Sequence, residues 1–389
     1  MEPQDAAGLA LVELLGAVDC LDFITSRSSH EPTLEKQLWE LLEEHHASRG
    51  WKGLSAALAR WRPRLESLAP GRDLSVVERL GGGFLVPADQ EWPEQFNDLG
   101  LQRPLGLWYR GRPGPWPGPE NAVAIVGSRD STGYGAAVTA DLAHELARRG
   151  RTVVSGGAYG IDAHAHRAAL TGHDPASEGI PTMAFMAGGI DRFYPSGNEE
   201  LLRVVGQRGA VVAEVPPGSA PTRYRFLQRN RLIAAFSGAT VVVEARWRSG
   251  ALNTAHHAEA LGRAVAAVPG PVHSASSAGC HRLLREGGAV LVTDVSEVLE
   301  LLDGPVADPS DHEATARAAI HDGLALEDLV LLDALPLRTA STVDKLSIVA
   351  GLDSMNVRAG LGRLQLLGLA EAVGARWKRR AEKDRTGKN

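Results

Sequence analysis

The sequence predicts an α/β protein whose centre is a doubly wound, mainly parallel sheet, flanked by a small N-terminal helical domain and a C-terminal winged-helix module. Three observations carry that prediction. Between residues 122 and 302, short apolar runs rich in Val, Ala and Ile alternate with longer amphipathic stretches, the signature of repeated βα units. Glycine-rich turns follow the first two apolar runs, where such a sheet places its strand-to-helix loops. The flanks show helical spacing instead, followed at the C-terminal side by a short hairpin.

Residues 1–80 read as the helical domain, with apolar spacing in "LALVELLGAV" and "LEKQLWELLEEHHA" broken by polar turns. The central domain covers 81–302. Its opening stretch, from Gly81 to Pro119, is rich in Gly, Pro and Trp and has no sustained period, so it is expected to be an irregular connector packed on the sheet. Seven strands follow: "AVAIVG", "TVVSGG", "PTMAFMAG", "AVVAEV", "ATVVVEA", "AVAAVPG" and "AVLVT". Helices are expected near 134–149, 161–171, 198–208, 225–236, 250–262, 279–286 and 295–302. A polar, acidic linker is expected at 303–322. In 323–380 three helices and a short hairpin give the winged-helix pattern, with Ser341 or Thr342 capping the second helix and Asp353 or Ser354 the third. A basic tail, 381–389, ends the chain.

Composition narrows the function classes. The chain has 389 residues, 44% of them hydrophobic, enough for a large core and two or three domains. Two cysteines, Cys20 and Cys280, build neither a disulfide framework nor a metal site, which suits a reducing compartment. No signal peptide and no membrane-spanning run is recognisable, so a soluble, cytoplasmic protein is expected. A net charge of −6 argues against a polyanion partner when taken alone. Its distribution reverses the argument, because arginines concentrate in "RYRFLQRNR" (223–231), in "RWR" (246–248) and at the C-terminus.

The strand ends carry the polar residues that need explaining. After the first strand, Gly127 allows a tight turn, Ser128 offers a hydroxyl and Arg129 a planar charged fork. After the second, Ser155, Gly156 and Gly157 lead into "AYGID". Glycines there free successive backbone amides to face an anion ahead of a helix. A phosphate ligand is therefore expected. The dinucleotide fingerprint fails on glycine spacing and on the missing acid at the second strand end, and no P-loop motif occurs. The fourth strand end adds Arg223, Arg225, Arg229 and Arg231 around Phe226, with Gln228 and Asn230 as amide donors. Arginines interleaved with a ring fit a single-stranded nucleic acid, where each stacked base is worth roughly 1–3 kcal/mol. Metal and triad chemistry are not expected. His164 and His166 diverge on one helix, as do His256 and His257 on another, and no serine sits in a nucleophile elbow. No cofactor is expected.

"AIVGSRDSTGYG", "VVSGGAYGIDAHAHRAAL", "GGIDRFYPSGNEEL", the long run "AEVPPGSAPTRYRFLQRNRLIAAFSGATVVVEARWRSGALNTAHHAEALGRAVAAVPGPV" and "GGAVLV" together resemble the DNA processing protein A (DprA, or Smf) family over about Gly83 to Leu302. The resemblance implies an extended Rossmann domain, a SAM-like N-terminal domain, and no enzymatic activity. It implies single-stranded DNA binding, loading of a RecA-type recombinase during natural transformation, and a homodimer. It maps the family's pocket onto Gly127, Ser128, Arg129, Ser155, Gly156, Gly157, Arg223, Phe226, Gln228, Arg229 and Asn230, with Ser249 and Gly250 at a further matched motif, "SGALNTA". Leu227 and His281 stand where the family often has proline and asparagine. The N-terminal helices lack a clear helix-hairpin-helix glycine motif. The winged helix is open to two roles, reading duplex DNA through Asn356, Arg358 and Arg363 or docking a protein. A Rossmann-like enzyme acting on nucleoside monophosphates is the alternative class, with Glu214 and Glu244 as its candidate bases, although the "PGGxGTxxE" motif of such enzymes is missing.

Overall fold

The computed structural model describes residues 2–26, 32–112, 114–174, 176–177, 179–303, 324–336 and 339–380. These fall into two compact units, Met1–Ala307 and Asp308–Asn389. The linker expected at 303–322 (apart from Asp303) and the basic tail lie outside the described residues. No described helix is long and apolar enough to cross a membrane.

The first unit opens with five helices, α1 (Ala6–Leu15), α2 (Ala17–Thr25), α3 (Pro32–Glu44), α4 (Leu54–Leu65) and α5 (Pro70–Arg79). Leu11, Leu38, Leu42, Leu54 and Trp61 recur at helical spacing and close the core of this lobe. Asp5 caps α1 through the Gly8 amide and also accepts from the Trp61 indole at 2.6 Å, tying the first helix to the fourth.

A nine-stranded sheet follows: β1 (Gly82–Leu85), β2 (Leu107–Gly111), β3 (Ala122–Val126), β4 (Thr152–Ser155), β5 (Thr182–Met186), β6 (Ala210–Ala213), β7 (Ala239–Val242), β8 (Ala264–Ala267) and β9 (Val290–Leu291). Their order is β1-β2-β6-β5-β4-β3-β7-β8-β9, with β6 through β9 parallel and β1 and β2 added antiparallel on the β6 edge. The seven expected strands are therefore present, and the doubly wound class holds. The stretch expected to be an irregular connector instead supplies two strands. Gly82 has no β-carbon to meet the Tyr109 carbonyl, and this lets β1 close on β2 despite a composition that reads as loop.

Both sheet faces are apolar, as a covered parallel sheet requires. Val123, Ile125, Val153 and Val241 point to one side, under α6 (Gly133–Arg148), α7 (Ile161–Gly172) and α12 (Val295–Asp303). Ala124, Val126, Val154 and Val242 point to the other, under α9 (Arg223–Phe236), α10 (Gly250–Ala260) and α11 (Ala278–Glu286). There Phe96, Phe185, Phe236 and Trp116 form an aromatic cluster of tilted and edge-to-face pairs with centroids 5.5–6.4 Å apart. Burying each such ring contributes about 1.5–3 kcal/mol, so this cluster fixes the seat of α9. The remaining helix, α8 (Glu199–Arg208), packs on β5 and β6 through Leu202 and Val205.

The chain leaves β3 for β4, β5 and β6, then returns to β7 on the other side of β3. Sequence order reverses between β3 and β7, and the loops leaving these two strands open a crevice where ligands of such sheets sit.

Among its described residues the second unit has the helices Leu326–Ala334, Val343–Ala350 and Ser354–Leu366 and a two-stranded hairpin, Ala370–Val373 with Arg376–Arg379. Leu331, Leu346, Val357, Leu361 and Leu364 form its core. Thr342 and Asp353 are the caps of the second and third helices. Arg363 makes two 2.7 Å bonds to the buried Asp328 carboxylate, and Asn356 donates to Asp353. Two of the three side chains expected to read bases are thus committed within the unit.

Candidate nucleic-acid interface

A cleft of about 720 Å³ opens at the β3/β7 reversal. Of the expected site residues, Gly127, Ser128, Arg129, Arg223, Phe226, Arg229, Asn230, Ser249 and Gly250 line it. The fold brings together residues more than a hundred positions apart because β3 and β7 are neighbours and α9 lies across their carboxyl ends.

Each wall has a local cause. Gly127 passes against Ile161 and the Glu244 carbonyl, where a β-carbon would overlap, and this lets the Ser128 amide bond Glu244 O at 2.7 Å. The Ser128 hydroxyl closes the turn on Asp130. Arg129 is thereby projected into the cleft, with its guanidinium 4.6 Å from the centroid of Phe226. Thr222 caps α9 and Ser249 caps α10, so two helix N-termini, with their positive dipole ends and free first-turn amides, border the same space. Asn230 ties those helices by donating to Gly250 O and Asn253 Oδ1, both at 3.2 Å. Among the described residues, Arg129, Arg223 and Arg248 line the cleft with no carboxylate partner, whereas Arg246 pairs with Asp130 at 2.7 Å.

Four expected residues are elsewhere. Ser155, Gly156 and Gly157 lie beneath the cleft and are buried. The Ser155 hydroxyl donates to Ile125 O at 2.7 Å. The Gly156 and Ala158 amides, expected to face a phosphate, both donate to the buried Asp162 carboxylate at 3.1 and 3.3 Å. The turn does cradle an anion, but that anion is the protein's own. Gly156 has a second reason to be bare, because a β-carbon would occupy the space of the Arg229 guanidinium. Gln228 turns away from the cleft and donates to the Pro3 carbonyl of the N-terminal lobe.

Arg229 is at the cleft floor but only 6% exposed, and its Nη1 donates to Phe185 O at 2.9 Å. Burial lowers its pKa to about 10, opposed by the charge of Asp162. Burial in turn raises Asp162, against the pull of Arg229 and the two amides. Arg229, bonded to Phe185 O, and Asp162, bonded to the Gly156 and Ala158 amides, attract each other across the core and hold the glycine turn beside the end of β5. His166, fully buried and bonded through Nδ1 to Thr182 at 2.7 Å, is pushed down to about 3 by burial, with Arg229 and Arg167 adding to the shift. It is a neutral core residue, and no group of metal-ligating side chains occurs among the described residues. The two candidate bases are also engaged: Glu244 accepts from the Thr132 amide and hydroxyl at 2.9 and 2.6 Å, and Glu214 from Arg231 at 2.8 Å.

The cleft also contains Tyr194, Thr222 and Arg248, not singled out in the sequence, together with Asn253 and Thr254 of the matched "SGALNTA" motif. Arg248 lies in the "RWR" cluster and Tyr194 in "GGIDRFYPSGNEEL", so the signals existed. Only the fold shows that both reach the same space as Arg129.

A family model described as DNA recombination-mediator protein A matches residues 83–303. A Mycobacterium tuberculosis protein named as a DNA processing protein DprA is 46% identical over 316 residues, 79% of each chain. DNA processing protein DprA of Streptococcus pneumoniae is 40% identical over 215 residues, 54% of this chain and 71% of that one. The X-ray structure of the pneumococcal protein superposes with a TM-score of 0.54 at 28% identity, covering 76% of this chain and 92% of that one. DNA processing protein A of Helicobacter pylori, whose structure was described for its single-stranded DNA binding mode, gives 0.50 at 28% identity over 56% and 95%. With a family model matched over more than half its length and a relative 46% identical over 79% of both chains, this chain belongs to the DNA recombination-mediator protein A family, the DprA/Smf proteins.

Proposed function

We propose that the protein binds single-stranded DNA in this cleft and acts as a recombination mediator without catalysing a reaction. The observation that carries the reading is the trio Arg129, Arg223 and Arg248, three guanidiniums without carboxylate partners among the described residues, beside the exposed ring of Tyr194 and two helix N-termini. Cations that follow a backbone and rings that receive bases suit an unpaired strand, whereas a duplex keeps its bases stacked inside. The Helicobacter pylori relative, structurally alike over 95% of its chain, is described as binding single-stranded DNA. The enzyme alternative gains nothing from the geometry, because Glu214 and Glu244 are spent on internal bonds.

Within this reading the protein is a homodimer that protects incoming single strands and hands them to a RecA-type recombinase during natural transformation, as family membership suggests. Fluorescence anisotropy with labelled oligo-dT and a matched duplex over a salt series tests the binding step. Preference for the single strand is expected, with a log–log salt slope shallower by about 0.7 for each phosphate left without its arginine in Arg129→Ala and in Arg223→Ala. Equal binding of both forms would contradict it. Light scattering of the protein, and recombinase assembly on strands already coated by a single-strand-binding protein, test the dimer and the hand-over.

A further inference from the structure

The sequence nominates Phe226 as the ring that receives a base, and the geometry points elsewhere. Phe226 is half-buried, with the Arg129 guanidinium at 4.6 Å from its centroid and Tyr194 against it at 5.8 Å and 54°. Its surroundings are already occupied. Tyr194, by contrast, is 46% exposed, lines the cleft and has no hydrogen-bond partner for its hydroxyl among the described residues. We propose that Tyr194 is the stacking platform for an unpaired nucleobase, with Phe226 and Arg129 as the pedestal behind it. This inference rests on the single-strand reading above and deepens it.

The ring is held ready by the glycine turn whose Gly156 and Ala158 amides are taken by Asp162. Asn198, buried, donates from Nδ2 to Gly157 O at 3.0 Å and Ala158 O at 2.9 Å, and its own amide bonds Pro195 O at 3.0 Å. On the other side Asp191 accepts from the Gly218 amide at 2.8 Å. The loop carrying Tyr194 is therefore braced at both ends, one brace being the Ser155–Gly157 turn. A fixed ring loses little conformational entropy when a base stacks on it. That turn thus serves DNA by placing Tyr194, through carbonyls instead of amides.

The test compares the wild type, Tyr194→Ala and Tyr194→Phe on oligo-dT of about fifteen nucleotides and on an abasic oligomer of the same length. Tyr194→Ala is expected to weaken oligo-dT binding about tenfold, leave abasic binding unchanged and keep the salt slope of the wild type. Tyr194→Phe keeps the wild-type discrimination, since stacking needs the ring and not the hydroxyl. Undiminished oligo-dT binding by Tyr194→Ala, or equal weakening on both oligomers, would overturn the assignment. A wild-type protein that binds neither oligomer would instead overturn the single-strand reading itself. Thermal melting of Tyr194→Ala shows that an exposed ring was removed without unfolding the chain.

Discussion

Replacing Arg229 by alanine separates a structural arginine from the DNA-facing ones. In the folded protein the guanidinium gives Phe185 O a hydrogen bond and the fully buried Asp162 carboxylate its strongest attractive charge. Truncation leaves that carboxylate in the core without an opposing charge, held by the Gly156 and Ala158 amides and the Ser155 hydroxyl, and opens a void under the glycine turn. Removing one partner of a buried pair costs about 3–5 kcal/mol. For a unit of this size that lowers the melting temperature by roughly 6–20 °C, taking 2–4 °C per kcal/mol. Calorimetry or thermal circular dichroism reads this shift directly. Arg129→Ala, which removes an exposed side chain, should melt with the wild type. Below the transition the two variants should exchange roles: Arg229→Ala keeps the salt slope of oligo-dT binding and Arg129→Ala flattens it. Unaltered melting of Arg229→Ala combined with a flattened slope would refute the assignment of Arg229 to the scaffold.

Two further outcomes follow from buried groups. His166 is neutral when folded, with a pKa lowered to about 3, and takes up a proton only on unfolding at ordinary acidity. Its contribution is therefore present above the unfolded pKa near 6.5 and lost as pH falls toward 3, at about 1.4 kcal/mol per unit. Urea titrations at pH 7, 6 and 5 should show a smaller acid loss in His166→Gln than in the wild type, and identical slopes would contradict the assignment. In the second unit, Arg363→Ala strips the buried Asp328 carboxylate of its bidentate partner. It should lower the melting of that unit and leave duplex binding unchanged, whereas lost duplex affinity at full stability would restore the base-reading role.

Most of the fold was legible in the sequence because a covered parallel sheet writes itself as apolar runs between amphipathic ones, and β3 to β9 stand where those runs are. β1 and β2 were not legible. Their glycines and tryptophans resemble loop, and only pairing across Gly82 makes them strands. The site divides along a similar line. Gly127, Ser128 and Arg129 follow from strand-end position. In α9, by contrast, arginine surrounds the helix, and composition does not show which face meets the cleft. Arg223, Phe226 and Asn230 recur at three- and four-residue intervals and line it. Arg225 lies on another face and pairs with Glu2, Gln228 turns to Pro3, and Arg231 is buried against Glu214. Gly156 was read as making room for a ligand and makes room for Arg229.

The central claim is that three unpaired arginines gathered at the β3/β7 reversal track the backbone of a single strand. The most direct measurement is the salt dependence of oligo-dT affinity for the triple variant Arg129→Ala, Arg223→Ala, Arg248→Ala beside the wild type. The account predicts a slope shallower by about 2 when each arginine neutralises one phosphate at about 0.7 apiece, with unchanged melting. An unchanged slope in a folded triple variant would contradict it.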